Sequence, residues 1–145
     1  MIVLSDVVAT TAIDDPRISQ VVGDLGLPQV LARALDAQTH TVFHLAAVVS
    51  GQAEAEFELG LRVNFDATRA LLERCRTLGH QPRVLLTSSV AVYGGPQPEG
   101  GVDDDTALTP QSSYGTQKAM AELLLADVHR KGFVDGRCLR LPTVS

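Results

Sequence analysis

A tyrosine and a lysine stand four positions apart in this sequence, as Tyr114 and Lys118. Positions i and i+4 of a helix share one face, so the phenol and the ammonium would point into one site if the segment is helical. A lysine cation close to a phenol favours the phenolate, which can remove a proton from an alcohol. The pair therefore indicates general acid/base chemistry.

A cluster of hydroxyl side chains lies upstream, at the end of an apolar run. It consists of Thr87, Ser88 and Ser89, and Ser89 precedes Tyr114 by 25 positions. A serine hydroxyl beside the tyrosine can hold a substrate oxygen while hydride leaves the neighbouring carbon. Tyrosine–lysine pairs at this spacing are often only a solvated helix face, and the serine cluster makes the chemical interpretation the favoured one.

Short apolar runs predict five strands. We place them at residues 1–4, 18–22, 41–45, 83–87 and 136–141. Apolar residues at helical spacing predict helices at 27–36, 53–78 and 112–131. Pro28 fits the first turn of the first helix, and Gly79 would end the second.

The segments between these elements predict how they are arranged. Residues 7–17 and 94–110 are expected to be loops, because they are rich in glycine, proline, threonine or aspartate. Strands that alternate with helices predict βαβ units and a parallel sheet covered on both faces. No linker divides the chain, so the sequence predicts one α/β unit.

Composition limits the partners that this chain would bind. The 145 residues are 45% hydrophobic and 20% charged, which is enough to build one core. A net charge of −5 without a basic stripe argues against nucleic acid. No apolar run approaches the roughly 18 residues of a membrane span, and nothing at Met1 resembles a signal peptide. We therefore expect a soluble, cytoplasmic protein without a membrane partner.

Cysteines and acidic residues do not form a pattern of metal ligands. Cys75 and Cys138 stand alone in the sequence and are expected to be reduced, partly buried thiols. The acidic run at 103–105 lies in a predicted loop and is expected to be solvated. The sequence therefore predicts no metal site.

The serine cluster with its following Val-Tyr-Gly segment (92–94) and the Tyr-x-x-x-Lys segment resemble one known family. It is the extended branch of the short-chain dehydrogenase/reductase superfamily, which holds NAD-dependent sugar-nucleotide epimerases and dehydratases. The resemblance covers essentially the whole chain. It implies a Rossmann-type, doubly wound parallel sheet and NAD as the cofactor.

The resemblance assigns the catalytic roles residue by residue. Ser89, three positions before the Val-Tyr-Gly segment, would hydrogen-bond the reacting oxygen. Tyr114 would be the acid/base. Lys118 would support the phenolate and bind the nicotinamide ribose, so that Tyr114 and Lys118 also count among the cofactor-binding residues.

Further residues match positions that meet the dinucleotide in this family. They are Asp6, Asp24, Leu25, Leu45, Ala46, Ala47, Asn64 and Pro142. Asp6 would hydrogen-bond the adenosine ribose and repel a 2′-phosphate, which favours NAD over NADP. Asp24 would meet the adenine amine. The small residues 46 and 47 would pass under the cofactor, Asn64 would bridge a helix and the adjacent strand, and Pro142 would lie near the nicotinamide carboxamide.

The family's glycine-rich first turn has no counterpart in this sequence. Met1 therefore resembles the start of the family's second strand. We expect residues 1–145 to be a partial NAD-binding domain, holding the second through sixth strands. Its first βα unit and its substrate domain would be absent, and the edges of the strands beside the missing strand would be unpaired. By analogy with relatives, the resemblance also implies a homodimer in which the predicted helices 53–78 and 112–131 would pair.

The segment after Ala47 bears on the substrate. Ser50 and Gly51 would offer a hydroxyl and backbone amides to a small polyol carboxylate, with Thr87 and Ser89 lining the same pocket. These segments look most like the members of the family that oxidise a short sugar acid with NAD. Two alternatives stay open: a nucleotide-sugar epimerase or dehydratase that retains its NAD, and a catalytically inert truncated module.

Overall fold

The computed structural model describes residues 1–11 and 14–142, and the strands in this part of the chain pair in parallel. The strands are β1 (Ile2–Asp6), β2 (Ile18–Val22), β3 (Thr41–His44), β4 (Arg83–Ser89) and β5 (Asp135–Leu141). All five coincide with apolar runs in the sequence. Their ends differ from the predicted ones by two residues at most, because strand ends depend on pairing more than on side-chain type.

The strands form two small sheets. β1 pairs with β2 in one sheet, and the other has the order β3-β4-β5. This grouping is the one expected from a strand order of 3-2-1-4-5-6 when the described strands take places two to six. Among the described residues, β1 and β3 each have a hydrogen-bonded neighbour on one edge only. The expectation of unpaired edges at these two strands is therefore confirmed.

Helices cover one face of both sheets. Those of ordinary length are α1 (Pro28–Ala34), α4 (Ala67–Leu78) and α5 (Ser113–Arg130), and the short ones are α2 (Ser50–Ala55) and α3 (Phe57–Gly60). One apolar core joins α1, α4 and α5 to the strands, with Leu72, Val84 and Leu125 among its buried members. Val21 of β2 and Val42 of β3 belong to the same core, so both sheets rest on a single layer of helices.

The opposite face of the sheets is open among the described residues. In β3, buried Val42 and His44 alternate with exposed Thr41 and Phe43, and the Phe43 side chain is 65% exposed. Leu139 on β5 is also exposed. The incomplete parallel sheet that was expected is confirmed, and in this part of the chain its helices α1, α4 and α5 share one core on one face.

The helix predicted at 53–78 is interrupted. Helix α2 begins earlier, at Ser50, and the backbone of Glu56 leaves helical geometry with φ −124° and ψ 74°. After α3 comes a π-helical segment, Leu61–Asp66, before α4 begins. The predicted end is confirmed, because Gly79 ends α4 in the left-handed conformation with φ 75°. Apolar spacing could not reveal the interruption, since both sides of it keep a helical rhythm.

Other elements follow the prediction closely. Helix α1 ends two residues before the predicted end, and α5 fits within the predicted 112–131. Residues 94–110 contain no helix or strand, as expected, but a 3-10 turn at Val90–Tyr93 precedes them and was not predicted. Positions 12 and 13 of the predicted 7–17 loop and residues 143–145 lie outside the described residues.

The described part of the chain offers neither a membrane-spanning helix nor a cluster of metal ligands. No described helix is long and apolar enough to cross a membrane. No group of three or more histidine, cysteine or acidic side chains is arranged to hold a metal ion, within the same residues. Cys75 is buried, as expected, whereas Cys138 is exposed, so the expectation of a partly buried thiol is wrong there.

Candidate active site

Ser89 is the last residue of β4 and the N-cap of the 3-10 turn. Its side-chain oxygen accepts a hydrogen bond from the Ala91 N–H at 3.1 Å. A hydroxyl that accepts in this way keeps its own hydrogen available as a donor. The 3-10 turn therefore fixes the serine while leaving it able to hold a substrate oxygen.

Helix α5 begins beside this turn and carries Tyr114 in its first turn. The Ser112 hydroxyl caps the helix by accepting from the Gly115 N–H at 3.1 Å. Gly115 lies so close to the Ala91 carbonyl oxygen that a Cβ at this position would collide with it. The absence of a side chain at Gly115 thus brings the start of the helix against the turn that follows Ser89.

Lys118 lies one helical turn after Tyr114 and points to the same place. Its side chain is 3% exposed, and its Nζ donates to the Thr87 carbonyl oxygen at 2.9 Å. The same Nζ lies 5.7 Å from the centre of the Tyr114 ring. Burial lowers the pKa of Lys118 from its ordinary value. The structure therefore brings Ser89, Tyr114 and Lys118 together at the carboxyl end of β4.

His44 is buried beneath this group at the end of β3. Its Nε2 lies 2.8 Å from the Thr68 Oγ1, and the Thr68 hydroxyl donates to the Asn64 carbonyl oxygen at 3.0 Å. Because the Thr68 hydrogen is committed, His44 is the donor and carries its proton on Nε2. Burial lowers the pKa of His44 to about 4, helped by the charge of Lys118. The ring is therefore neutral at neutral pH, which agrees with a packed strand histidine.

Asn64 comes from the π-helical segment and is almost fully buried. Its Oδ1 accepts from the Val48 N–H at 2.9 Å, and its Nδ2 donates to the Val48 carbonyl oxygen at 3.2 Å. The side-chain amide also lies 2.9 Å from the amide of Gln117 on α5. Asn64 thus joins the segment after β3 to the helix layer, where the extra residue of the π turn directs it inward.

The residues matched to the dinucleotide lie along the carboxyl ends of the strands. Asp6 ends β1 and is exposed, with its Oδ1 accepting from the Val8 N–H at 3.1 Å. Leu45, Ala46 and Ala47 follow β3 and are all exposed. In open parallel sheets, dinucleotides bind at this edge and need small residues where they approach the backbone. The side chains present here therefore fit such a cofactor.

Asp24 is the matched residue that already has a charged partner. Its Oδ1 accepts from the Gly26 N–H at 2.8 Å, and its Oδ2 pairs with the Arg62 guanidinium at 2.7 Å. The neighbouring Leu25 packs partly against the core. Arg62 was not predicted from the sequence, because the pair joins positions 38 residues apart without a local pattern.

The proposed substrate residues are more dispersed. Ser50 and Gly51 are exposed in the first turn of α2, whereas Thr87 lies on β4 with its hydroxyl donating to the His44 carbonyl oxygen at 3.2 Å. Pro142 is exposed just after β5. Two cavities flank the site without containing its catalytic residues. One of about 480 Å³ lies between α3 and the start of α5, and one of about 340 Å³ lies beside Val90.

An ion pair beneath the site was also missed from the sequence. The Arg140 guanidinium, on β5, donates to both carboxylate oxygens of Glu122, at 3.2 Å and 2.9 Å, and also to the Tyr93 hydroxyl. The bond to Glu122 raises the pKa of Arg140. Glu122 lies four residues after Lys118 on the same helical face, but that spacing does not reveal a partner 18 positions away in the sequence.

Comparisons with known proteins agree with this geometry. The model of the NAD dependent epimerase/dehydratase family matches residues 4–145. A parallel α/β chain with a tyrosine, a lysine and a serine at the carboxyl end of one strand is typical of such nicotinamide-dependent enzymes. This chain belongs to the NAD dependent epimerase/dehydratase family.

Two curated relatives share a description. The chain is 69% identical over 142 residues to the D-erythronate dehydrogenase of Cupriavidus necator, covering 98% of this chain and 44% of that protein. It is 48% identical over 144 residues to the D-erythronate dehydrogenase of Haemophilus influenzae, covering 99% and 45%. The chain thus spans less than half the length of these relatives.

A solved structure shows how closely the fold is shared. The nucleoside-diphosphate-sugar epimerase from Agrobacterium tumefaciens superimposes with a TM-score of 0.86 at 42% identity. The match covers 98% of this chain and 43% of that one. The arrangement of the two small sheets and their helix layer is therefore that of the epimerase/dehydratase fold.

Proposed function

We propose that this chain supplies the catalytic group of an NAD-dependent dehydrogenase that oxidises a secondary alcohol of a short sugar acid such as D-erythronate. The single observation that carries the proposal is the convergence of Ser89, Tyr114 and Lys118 on one strand end. The substrate class is supported by the 69% and 48% identical relatives, both D-erythronate dehydrogenases.

Each of the three side chains has a distinct part in the chemistry. Ser89 donates its free hydrogen to the alcohol oxygen and holds it in place. Tyr114, as the phenolate, takes the alcohol proton. NAD, when bound, accepts the hydride that leaves the carbon. The products are a ketone, the reduced cofactor and a proton.

Lys118 supports this proton transfer. One of its three N–H donors is held by the Thr87 carbonyl, so the ammonium stays at a fixed distance from the Tyr114 ring. Its charge favours the phenolate, and burial keeps water from screening that charge. The remaining donors are available for the nicotinamide ribose.

The cofactor would lie along the carboxyl edge of β1 and β3. Asp6 would bind the adenosine ribose and disfavour NADP, and Asp24 would meet the adenine amine. Ala46 and Ala47 would let the dinucleotide approach the backbone closely, with Leu45, Leu25 and Pro142 at its margins. Asn64 would hold the segment after β3 in place. Ser50, Gly51 and Thr87 would line the substrate side.

The strand grouping supports a proposal on domain organisation. The five strands act as the second through sixth strands of an NAD-binding domain, within an enzyme that also has a first βα unit and a substrate domain. We place this enzyme in the cytoplasm, where the thiols of Cys75 and Cys138 stay reduced. Two copies would pair through the layer of α4 and α5.

A nucleotide-sugar epimerase is the second candidate. The observation that favours it is the 42% identity to the Agrobacterium tumefaciens epimerase structure. Such an enzyme would use the same three side chains but return the hydride to its substrate. The two candidates therefore differ in whether reduced cofactor accumulates.

A chimeric enzyme tests the proposal directly. In it, the 142 matching residues of the Cupriavidus necator dehydrogenase are replaced by this chain. We expect absorbance of reduced nicotinamide to accumulate with NAD and D-erythronate, and not with a nucleotide sugar. Conversion of a nucleotide sugar without accumulation would favour the epimerase. A folded chimera inactive on both would support an inert module.

A further inference from the structure

Arg140 joins three elements that surround the candidate catalytic group. Its Nε and Nη2 donate to the Glu122 carboxylate on α5, at 3.1 Å and 2.9 Å, and its Nη1 donates to the Tyr93 hydroxyl in the 3-10 turn. The Arg140 guanidinium carbon also lies 4.9 Å from the centre of the Tyr93 ring. We call Arg140, Glu122 and Tyr93 the Arg140 clamp.

Stability alone does not explain why the charged pair of the clamp is buried. The side chains of Glu122 and Arg140 are 7% and 22% exposed. Removing two charges from water costs about as much as their attraction returns, and well-packed apolar residues are often as stable. Unlike apolar residues, such a pair fixes the orientation of its members, because a planar guanidinium binds its partners in only a few arrangements.

The elements that the clamp holds in place are the ones that carry the catalytic side chains. Glu122 lies one helical turn after Lys118 on α5, the helix that also carries Tyr114. Tyr93 ends the 3-10 turn that Ser89 caps. Arg140 therefore binds the helix of the acid/base and the turn of the serine at the same time.

The clamp also reaches the loop that follows the turn. The Tyr93 hydroxyl donates to the Asp103 carbonyl oxygen at 2.8 Å, and the Thr109 N–H donates to the Val92 carbonyl oxygen at 2.9 Å. The cavity of about 340 Å³ beside Val90 lies between Tyr93 and Val102 of this loop. The position of its wall thus depends on the Tyr93 hydroxyl.

We propose that Arg140 and Glu122 are positioning residues, which act through Tyr93 and α5 to set the distance between Ser89 and Tyr114 and to hold the 94–110 loop against the site. The activity part of this inference rests on the proposed dehydrogenase function. The loop part does not, because it concerns contacts within this chain alone.

Methionine substitutions separate positioning from stability. Arg140→Met and Glu122→Met each leave one buried charge unpaired, so each should lower the midpoint of urea unfolding of the 145-residue chain. The double variant has no unpaired charge, and its midpoint should return close to the wild-type value. In the chimeric enzyme, all three variants should lower kcat by about 10²-fold, the effect of displacing reacting groups by about 1 Å. KM for NAD should change by less than about threefold.

If kcat recovers together with stability in the double variant, Arg140 and Glu122 are a merely structural pair, and the proposal is overturned. Arg140→Lys is the second variant in case the double variant does not fold. Lysine keeps the charge beside Glu122 but loses the two-pronged bond and the contact with Tyr93. We expect kcat to fall by about tenfold, and an unchanged kcat would equally overturn the proposal.

Tyr93→Phe tests the loop without any activity measurement. It keeps the ring over Arg140 and removes only the hydroxyl that reaches Asp103. Amide hydrogen exchange of the 145-residue chain should become faster in residues 101–106 and stay unchanged in β4. Equal exchange rates in the variant and the wild type would contradict the loop part. An inactive wild-type chimera would instead count against the proposed function and leave the exchange result to decide the clamp.

Discussion

Lys118 and His44 show what burial does to a charged group at the residue scale. Both side chains are 3% exposed, and burial lowers the pKa of each. Lys118 keeps a carbonyl oxygen and a nearby aromatic ring as partners for its charge. His44 has Thr68 as its partner and so stays neutral, which makes it a sensor of acid rather than a participant in catalysis.

The stability of the chain should depend on His44 below neutral pH. An unfolded histidine titrates near 6.5, and the folded pKa is about 4. The unfolded state therefore binds the extra proton first, and stability present above pH 6.5 is lost as the pH falls from 6.5 to 4. The loss should amount to about 3 kcal/mol. Urea unfolding at a series of pH values measures it.

Two glutamine variants check the origin of this loss. His44→Gln should flatten the curve between pH 6.5 and 4, because the titrating group is gone. His40→Gln, at an exposed histidine just before the same strand, is the matched control. If the His44→Gln variant keeps the wild-type slope, the loss of stability is due to other groups.

At the scale of elements, the sequence predicted the strands well and the helix layer less well. All five apolar runs are strands in the structure. The spacing of Tyr114 and Lys118 predicted that these two side chains share one face of α5. The interruption at Glu56 and the π turn leave the apolar spacing on both sides intact, so apolar periodicity does not reveal them. The same holds for Arg140 and Glu122, whose contact spans 18 positions.

The contact between α5 and the 3-10 turn gives a prediction at this scale. Gly115→Ala should place a methyl group against the Ala91 carbonyl and push the helix away from Ser89. We expect a loss of about 1–3 kcal/mol in the free energy of unfolding. The kcat of the chimeric enzyme should fall further than stability alone explains.

Gly100→Ala is the matched control for this substitution. Within the described residues no atom lies within 4 Å of where its Cβ would be, and it sits in the 94–110 loop. Its unfolding free energy should stay within about 0.5 kcal/mol of wild type. Similar effects of the two substitutions would mean that the approach of Gly115 to Ala91 is not the cause.

At the scale of the whole molecule, the two small sheets share a core but not a hydrogen-bonded edge. β1 and β3 are each unpaired on one side in the part of the chain described, and Phe43 and Leu45 are both 65% exposed. Unpaired strand edges and exposed apolar patches promote association between chains. A dinucleotide would bind at this same open edge, and it would need a complete wall there to bind tightly.

We therefore expect the 145-residue chain by itself to associate and to bind NAD weakly. Light scattering should increase with concentration, and calorimetric titration with NAD should give no micromolar affinity. Phe43→Ser and Leu139→Ser together should reduce the scattering, since both remove exposed apolar surface on the open face. Micromolar NAD binding by a monomeric chain would contradict this account of the open edge.

The most direct test of the central claim is Tyr114→Phe in the chimeric enzyme, assayed with NAD and D-erythronate. The variant removes one oxygen atom and leaves the ring beside Lys118 in place. Turnover should fall by about 10² to 10⁴-fold, the usual contribution of a general base, while the affinity for NAD changes little. Turnover equal to that of the unsubstituted chimera would show that Tyr114 does not take the proton and would contradict the account.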